Sequence, residues 1–139
     1  MKILLSTFQS TFIPPLMAYT CPISIANSHF VGSGECVDLV RQTCGMPGNL
    51  STDVWRAGIQ VKGSTGIRPG TAIASFVYGR YPTHGHAAIY LGQDAGGIKV
   101  KQQYKHGLHP FVVHEAYIKF GGRGTWLPGD DANYYYVIE

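Results

Sequence analysis

Two apolar, strand-forming runs, His86–Leu91 and Ile98–Tyr104, are joined by the glycine-rich stretch 92–97, and this does most to limit the fold. Runs of this kind separated by a short glycine turn pair as an antiparallel hairpin. Thr71–Val77 is a further mostly apolar run after the Pro69-Gly70 turn, Tyr134–Ile138 is a strong final strand, and 112–120 is ambiguous between states. The clearest helix comes earlier, over Glu35–Thr43, with Val37, Val40 and Cys44 on one face. Ser33 is the expected N-cap, and Gly45 and Pro47 end the helix. Ser51-Thr52-Asp53 is read as capping a second, short helix that holds Val54, Trp55 and Ala57. A helix followed by antiparallel strands is an α+β arrangement.

The chain has 139 residues, 45% of them apolar and 14% charged, enough for one core and one domain. There is no internal repeat and no low-complexity linker. Lys2 and the apolar residues after it resemble the start of an export signal. The run breaks at Ser6 and again at Pro14-Pro15, short of the continuous apolar stretch of about 7–15 residues that a signal needs. Residues 1–16 are therefore expected to be a dispensable extension and 17–139 the domain, made in the cytoplasm. No stretch approaches the ~20 apolar residues of a membrane span, and no basic stripe points to nucleic acid. The net charge of +3 fits an anionic partner, but aid to solubility is the reading it favours.

Of the three cysteines, Cys36 stands at the start of the helix. There the dipole and the unpaired N–H groups lower a thiol pKa and can hold an oxyanion. Cys44, at the opposite end of that helix, and Cys21, before Pro22, are expected to be small buried side chains. An odd count does not describe a disulfide framework.

Of six histidines, His86 alone begins an unmistakable strand, sharing a face with Ala88 and Tyr90. His84 falls in the preceding loop, and His106, His109 and His114 are read as loop or edge residues. A metal site built from His84, His86 and His106 or His109 is the alternative, but no carboxylate or cysteine stands at ligand spacing. No metal or organic cofactor is expected.

A catalytic imidazole needs an acceptor at its second nitrogen. Parity in the next strand puts Ile98, Val100, Gln102 and Tyr104 on the inner face and Lys99, Lys101 and Gln103 on the outer one. Gln102 is thus the expected third member, and a register one residue off would substitute Gln103.

Gly-Ser-Gly-Glu-Cys-Val-Asp-Leu-Val (32–40), His-Ala-Ala-Ile-Tyr-Leu-Gly (86–92) and Val-Lys-Gln-Gln-Tyr (100–104), in this order, resemble the papain-like CHAP and NlpC-type cysteine amidases. A closer resemblance, over nearly the whole chain from Met17, is to the small amidase effectors of bacterial type VI secretion. It rests also on Leu50–Gly58 with Trp55, Pro69–Val77, Gly79-Arg-Tyr-Pro and the terminal Tyr136-Val-Ile-Glu.

The resemblance implies a papain-like domain with Cys36 as nucleophile and His86 as base, acting on stem peptides of peptidoglycan. It also implies delivery by a type VI apparatus into a rival's periplasm, and a cognate immunity protein that protects the producer. The D-alanine–diaminopimelate cross-link is the favoured scissile bond. Tyr19 is an expected second oxyanion donor. Gln102 departs from the acidic residue that relatives tend to carry. The rival readings are a non-catalytic wall-binding module and a metal-dependent wall hydrolase.

Overall fold

A computed structural model describes residues 18–24, 29–47, 50–105 and 112–139. The proposed extension 1–16, Met17, His106 and His109 lie outside the described residues.

The helix, α1, spans Cys36–Thr43, one residue shorter than expected at its start, and buries Leu39 and Val40. Glu35 is its N-cap, with no side-chain bond of its own to the helix. Ser33 acts one step earlier: its hydroxyl accepts from the Glu35 N–H at 3.2 Å, and its own N–H donates to Asp38 at 2.8 Å. Gly32 takes φ +58°, a conformation glycine adopts without penalty, as this turn requires. The second helix is a single 3₁₀ turn, Thr52–Val54, capped by Ser51. The expected helical residue Ala57 instead opens a strand, β1 (Ala57–Gln60), which the sequence reading did not anticipate.

The remaining strands are β2 (Ala72–Ser75), β3 (Ala87–Gln93), β4 (Gly97–Gln102), β5 (His114–Lys119) and β6 (Tyr135–Ile138). All neighbours are antiparallel, in the order β1-β6-β2-β3-β4-β5. The expected β3–β4 hairpin is present, with a bulge between Tyr90 and Gly92. The ambiguous stretch 112–120 resolves as β5, because β4 gives it a full ladder of partners from Gly97–Lys119 to Gln102–His114. Among the described residues, one α-helix on a six-stranded antiparallel sheet is the α+β class expected.

Each face of the sheet carries a buried cluster, and this corrects the reading of Lys101 and Gln103 as outer, while Lys99 is exposed as expected. On one face Leu39, Val40, Trp55 and Phe76 pack with Ala87 and Ile89. On the other, Ile73, Ala88, Tyr90, Ile98, Val100 and Tyr135 form a second cluster with Ala132 and Phe120 from the segment after β5. Lys101 and Gln103 therefore lie buried, 6% and 0% exposed. The Lys101 ammonium donates to the Ile23 carbonyl at 2.8 Å.

Cys21 and Cys44 are buried as expected, but they are a disulfide and not two thiols. The fold brings the segment before the helix back onto the helix's C-terminal end. Cys36 is the free cysteine among the described residues.

Candidate active site

The glycine loop, α1 and the start of β3 meet around the half-buried Cys36 thiol. Burial by itself would push this thiol up. His86, by hydrogen bond and by charge, together with the Ala87 N–H and the Tyr81 hydroxyl, outweighs it, so the pKa lies below the ordinary cysteine value. The imidazole moves the other way. Burial pushes His86 down, but the Cys36 thiol, Gln102 and Asp130 together raise it above the ordinary histidine value. The two shifts bring the proton affinities of sulfur and imidazole towards each other, which eases transfer of the proton between them.

His86 is pinned from several sides. Its backbone N–H donates to the Ser75 hydroxyl at 2.9 Å, and its carbonyl accepts from the Ser75 N–H at 2.9 Å. Its Nε2 lies 2.8 Å from Oε1 of Gln102. That leaves Nδ1 as the nitrogen on the thiol side. Gly129 backs the root of the side chain: a Cβ built there would lie 2.8 Å from the His86 Cβ. The buried hydroxyl of Tyr135 donates to the Gly129 carbonyl at 2.7 Å and holds that 3₁₀ turn in place.

The structure thus brings Cys36, His86 and Gln102 together. Gln103 sits elsewhere, on the opposite side of β4. Its carbonyl oxygen accepts from the Val31 N–H, and its amide donates to the carbonyls of Val31 and Glu35, each at 2.8 Å. It clasps the glycine loop that leads into Cys36 rather than touching the imidazole. Asp38 steadies the same loop. The Ser33 hydroxyl and N–H hold its carboxyl below the usual range.

Tyr19, the expected oxyanion donor, packs against the core. The hydroxyl at the thiol belongs to Tyr81, 3.7 Å from Sγ. Burial first, and then the charge on Cys36, raise the Tyr81 phenol well above its ordinary pKa, so it stays protonated and able to donate. The Trp55 indole stands edge-on to the Tyr81 ring at 5.1 Å, and Gly85 leaves room for that ring. Tyr81 and Ser75 fall within stretches that carry the resemblance, but nothing local in the sequence assigned either a role, since each acts through a residue distant along the chain.

Of the residues that would form a metal site, His84 is exposed and His86 is engaged by Gln102. His114 is the first residue of β5, near the site, with Gln102 its direct partner across the ladder. A cavity of about 830 Å³ runs from His86 and Gln102 along Tyr104 to Lys119 and Arg123.

With this geometry in place, the family model for domesticated amidase effector 2 matches residues 14–138. The chain belongs to this amidase effector family. It is 37% identical over 115 residues to a type VI secretion amidase effector 2 protein of Salmonella typhi, covering 76% of this chain and 84% of that one. It is 34% identical over 110 residues to domesticated amidase effector 2 of Ixodes scapularis, covering 78% of this chain and 73% of that one. The solved structure of a type 6 secretion amidase effector 2 superposes with a TM-score of 0.73 at 31% identity, over 84% of this chain and 89% of the other. Membership makes the chain an amidase, a hydrolase of the C–N bond, on a papain-like α+β fold.

Proposed function

We propose that this amidase cleaves stem-peptide amides of peptidoglycan by acyl transfer through Cys36, with His86 as base and then acid. The observation that carries the reading is the thiol at the first residue of α1, held down by an imidazole whose far nitrogen is bonded to Gln102. His86 Nδ1 accepts the thiol proton, and the sulfur attacks the amide carbonyl carbon. The oxygen, now negative, is stabilised by the Cys36 N–H and by the Tyr81 hydroxyl. Nδ1–H protonates the departing amine and the C–N bond breaks. Water, deprotonated by His86, then releases the acyl group as an acid and restores the thiol. Gln102 accepts from Nε2–H throughout, which keeps Nδ1 free for the proton.

Within the stem peptide, the effector likeness favours the D-alanine–diaminopimelate cross-link. The same likeness supports delivery by a type VI apparatus to the periplasm of a target bacterium and a cognate immunity protein. The Cys21–Cys44 disulfide adds independent support for work in an oxidising compartment, because such bonds are rarely kept in a reducing cytosol. The lowered Cys36 thiol favours an enzyme over a non-catalytic wall-binding module, where a half-buried cysteine has no reason to be activated.

The test is mass spectrometry of muropeptides after digestion of purified peptidoglycan. The native protein should convert cross-linked dimers into monomers, and Cys36→Ala should leave the dimers intact. Dimers split instead between D-glutamate and diaminopimelate, with the D-alanine–diaminopimelate bond retained in the released fragment, would move the scissile bond but keep the chemistry. Wild-type turnover by Cys36→Ala would remove both.

A further inference from the structure

A carboxamide has two chemically opposite ends, and only one of them can serve His86. To take a proton at Nδ1 the imidazole must carry its own proton on Nε2, so the atom facing Nε2 at 2.8 Å must be an acceptor. A carboxylate meets this demand whichever way it turns. Glutamine meets it in one of two orientations, and something has to select between them.

The selecting group stands on the neighbouring strand. Gln102 and His114 are direct partners in the β4–β5 ladder. The Gln102 amide nitrogen lies 3.2 Å from Nε2 of His114, and Nδ1 of His114 lies 3.0 Å from the Val112 carbonyl oxygen. A carbonyl oxygen only accepts, so Nδ1 of His114 carries the proton. In the neutral ring Nε2 is then a bare lone pair, which accepts from the Gln102 NH₂. Reversing the Gln102 amide would set its NH₂ against the Nε2–H of His86 and its oxygen against the lone pair of His114. Two hydrogen bonds would become two repulsive contacts.

The Tyr104 ring stands edge-on to both imidazoles, with centroids 6.3 Å from His86 and 5.2 Å from His114. It limits the swing of each ring.

We propose that His114 is a positioning residue of the amidase: through its Nδ1–H tautomer it turns the Gln102 carbonyl oxygen toward His86 and so sets the tautomer of the base. This rests on the reading of Cys36 and His86 as nucleophile and base. The line of groups runs Val112 carbonyl, His114, Gln102, His86, Cys36, and each proton position in it is dictated by the one before.

The experiment is a double-mutant cycle between positions 102 and 114, read as kcat and KM on purified peptidoglycan. His114→Leu should lower kcat about tenfold with KM changed less than about twofold, a rate effect of about 1.4 kcal/mol. His114→Gln, which can still present an acceptor, should restore most of that rate. In a Gln102→Glu background, where both oxygens accept, His114→Leu should cost less than about twofold relative to Gln102→Glu alone. Equal losses in both backgrounds would overturn the proposal, as would a normal rate for His114→Leu.

A second measurement does not depend on any position-114 variant folding. Long-range ¹H–¹⁵N correlation on the native protein should show His114 as the Nδ1–H tautomer with Nε2 unprotonated, and the opposite tautomer would overturn the proposal. Failure of the underlying reading looks different: Cys36→Ala or His86→Ala would then turn over at the normal rate whatever stands at 114.

Discussion

At the residue scale the site is a contest between burial and partners. Burial opposes charge on both Cys36 and His86, and each is the largest of the partners that shift the other toward the charged form. Removing the sulfur should therefore expose the burial penalty on the ring. In Cys36→Ala the hydrogen bond and charge that raise His86 are gone while the desolvation remains, so the imidazole should titrate at lower pH than in the native protein by NMR. A rise would mean that Cys36 is not its main partner. The pair titrates as a unit, so hydrolysis should fall at low pH, where both groups are protonated, and at high pH, where both are bare.

The two adjacent glutamines fail in different ways. Gln102→Ala removes the acceptor at Nε2 and should slow hydrolysis about 10–100-fold, roughly 1.4–2.7 kcal/mol of barrier. Gln103→Ala strips three bonds from the loop before Cys36 and leaves part-buried backbone groups unpaired, at a cost of about 2 kcal/mol of stability. Rate alone does not separate them, because a loosened loop also misplaces the thiol. Thermal melting does: the larger fall in Tm belongs to Gln103→Ala, and the reverse order would exchange the two roles.

At the scale of elements, His86, the proposed base, is held by a strand on one side and a turn on the other. Strand β2 fixes the His86 backbone through Ser75, and the 3₁₀ turn Pro128–Asp130 sets Gly129 against the His86 Cβ. Asp131 shapes the segment that leads there, its buried carboxylate accepting from the N–H groups of Gly121, Gly124 and Asn133 at 3.0–3.2 Å. A methyl at 129 would meet the His86 Cβ at 2.8 Å, closer than carbon atoms approach, so ring or turn must move. Gly129→Ala should lower kcat about tenfold, since sub-ångström misplacement of a catalytic group is felt strongly. Unchanged kcat with a normal melting curve would show that the turn does not position the ring.

At the scale of the whole molecule, the Cys21–Cys44 disulfide ties the segment before the glycine loop to the far end of α1. The 23-residue separation encloses Cys36, and a cross-link over such a loop contributes about 3 kcal/mol. Cys21→Ala with Cys44→Ala should lower Tm, and reductant should lower the native Tm to match while leaving the variant's unchanged. A native Tm insensitive to reductant would remove the bond from the account. Residues 1–16 belong at this scale too. They lack a continuous apolar run, and their deletion should leave Tm and hydrolysis nearly as they were; a large loss of Tm would show that they pack on the domain.

The sequence by itself determined whatever depends on near neighbours along the chain. A glycine loop before a helix places Cys36 at its first residue, a two-residue period puts His86 and Gln102 on the same face of their strands, and glycine at 92–97 makes those strands a hairpin. Period and turn chemistry are local properties, so they are legible without the fold. Tertiary structure decided the rest. The outer face of β4 turned out to be buried at Lys101 and Gln103, where the Ile23 carbonyl and the glycine loop lie over it, and open at Lys99; strand parity reports two faces but not what lies over them. The pairing of Cys21 with Cys44, the Tyr81 hydroxyl at the thiol in place of Tyr19, and His114 beside Gln102 all join residues through the sheet. Such contacts are set by strand order and register, which no window of sequence contains.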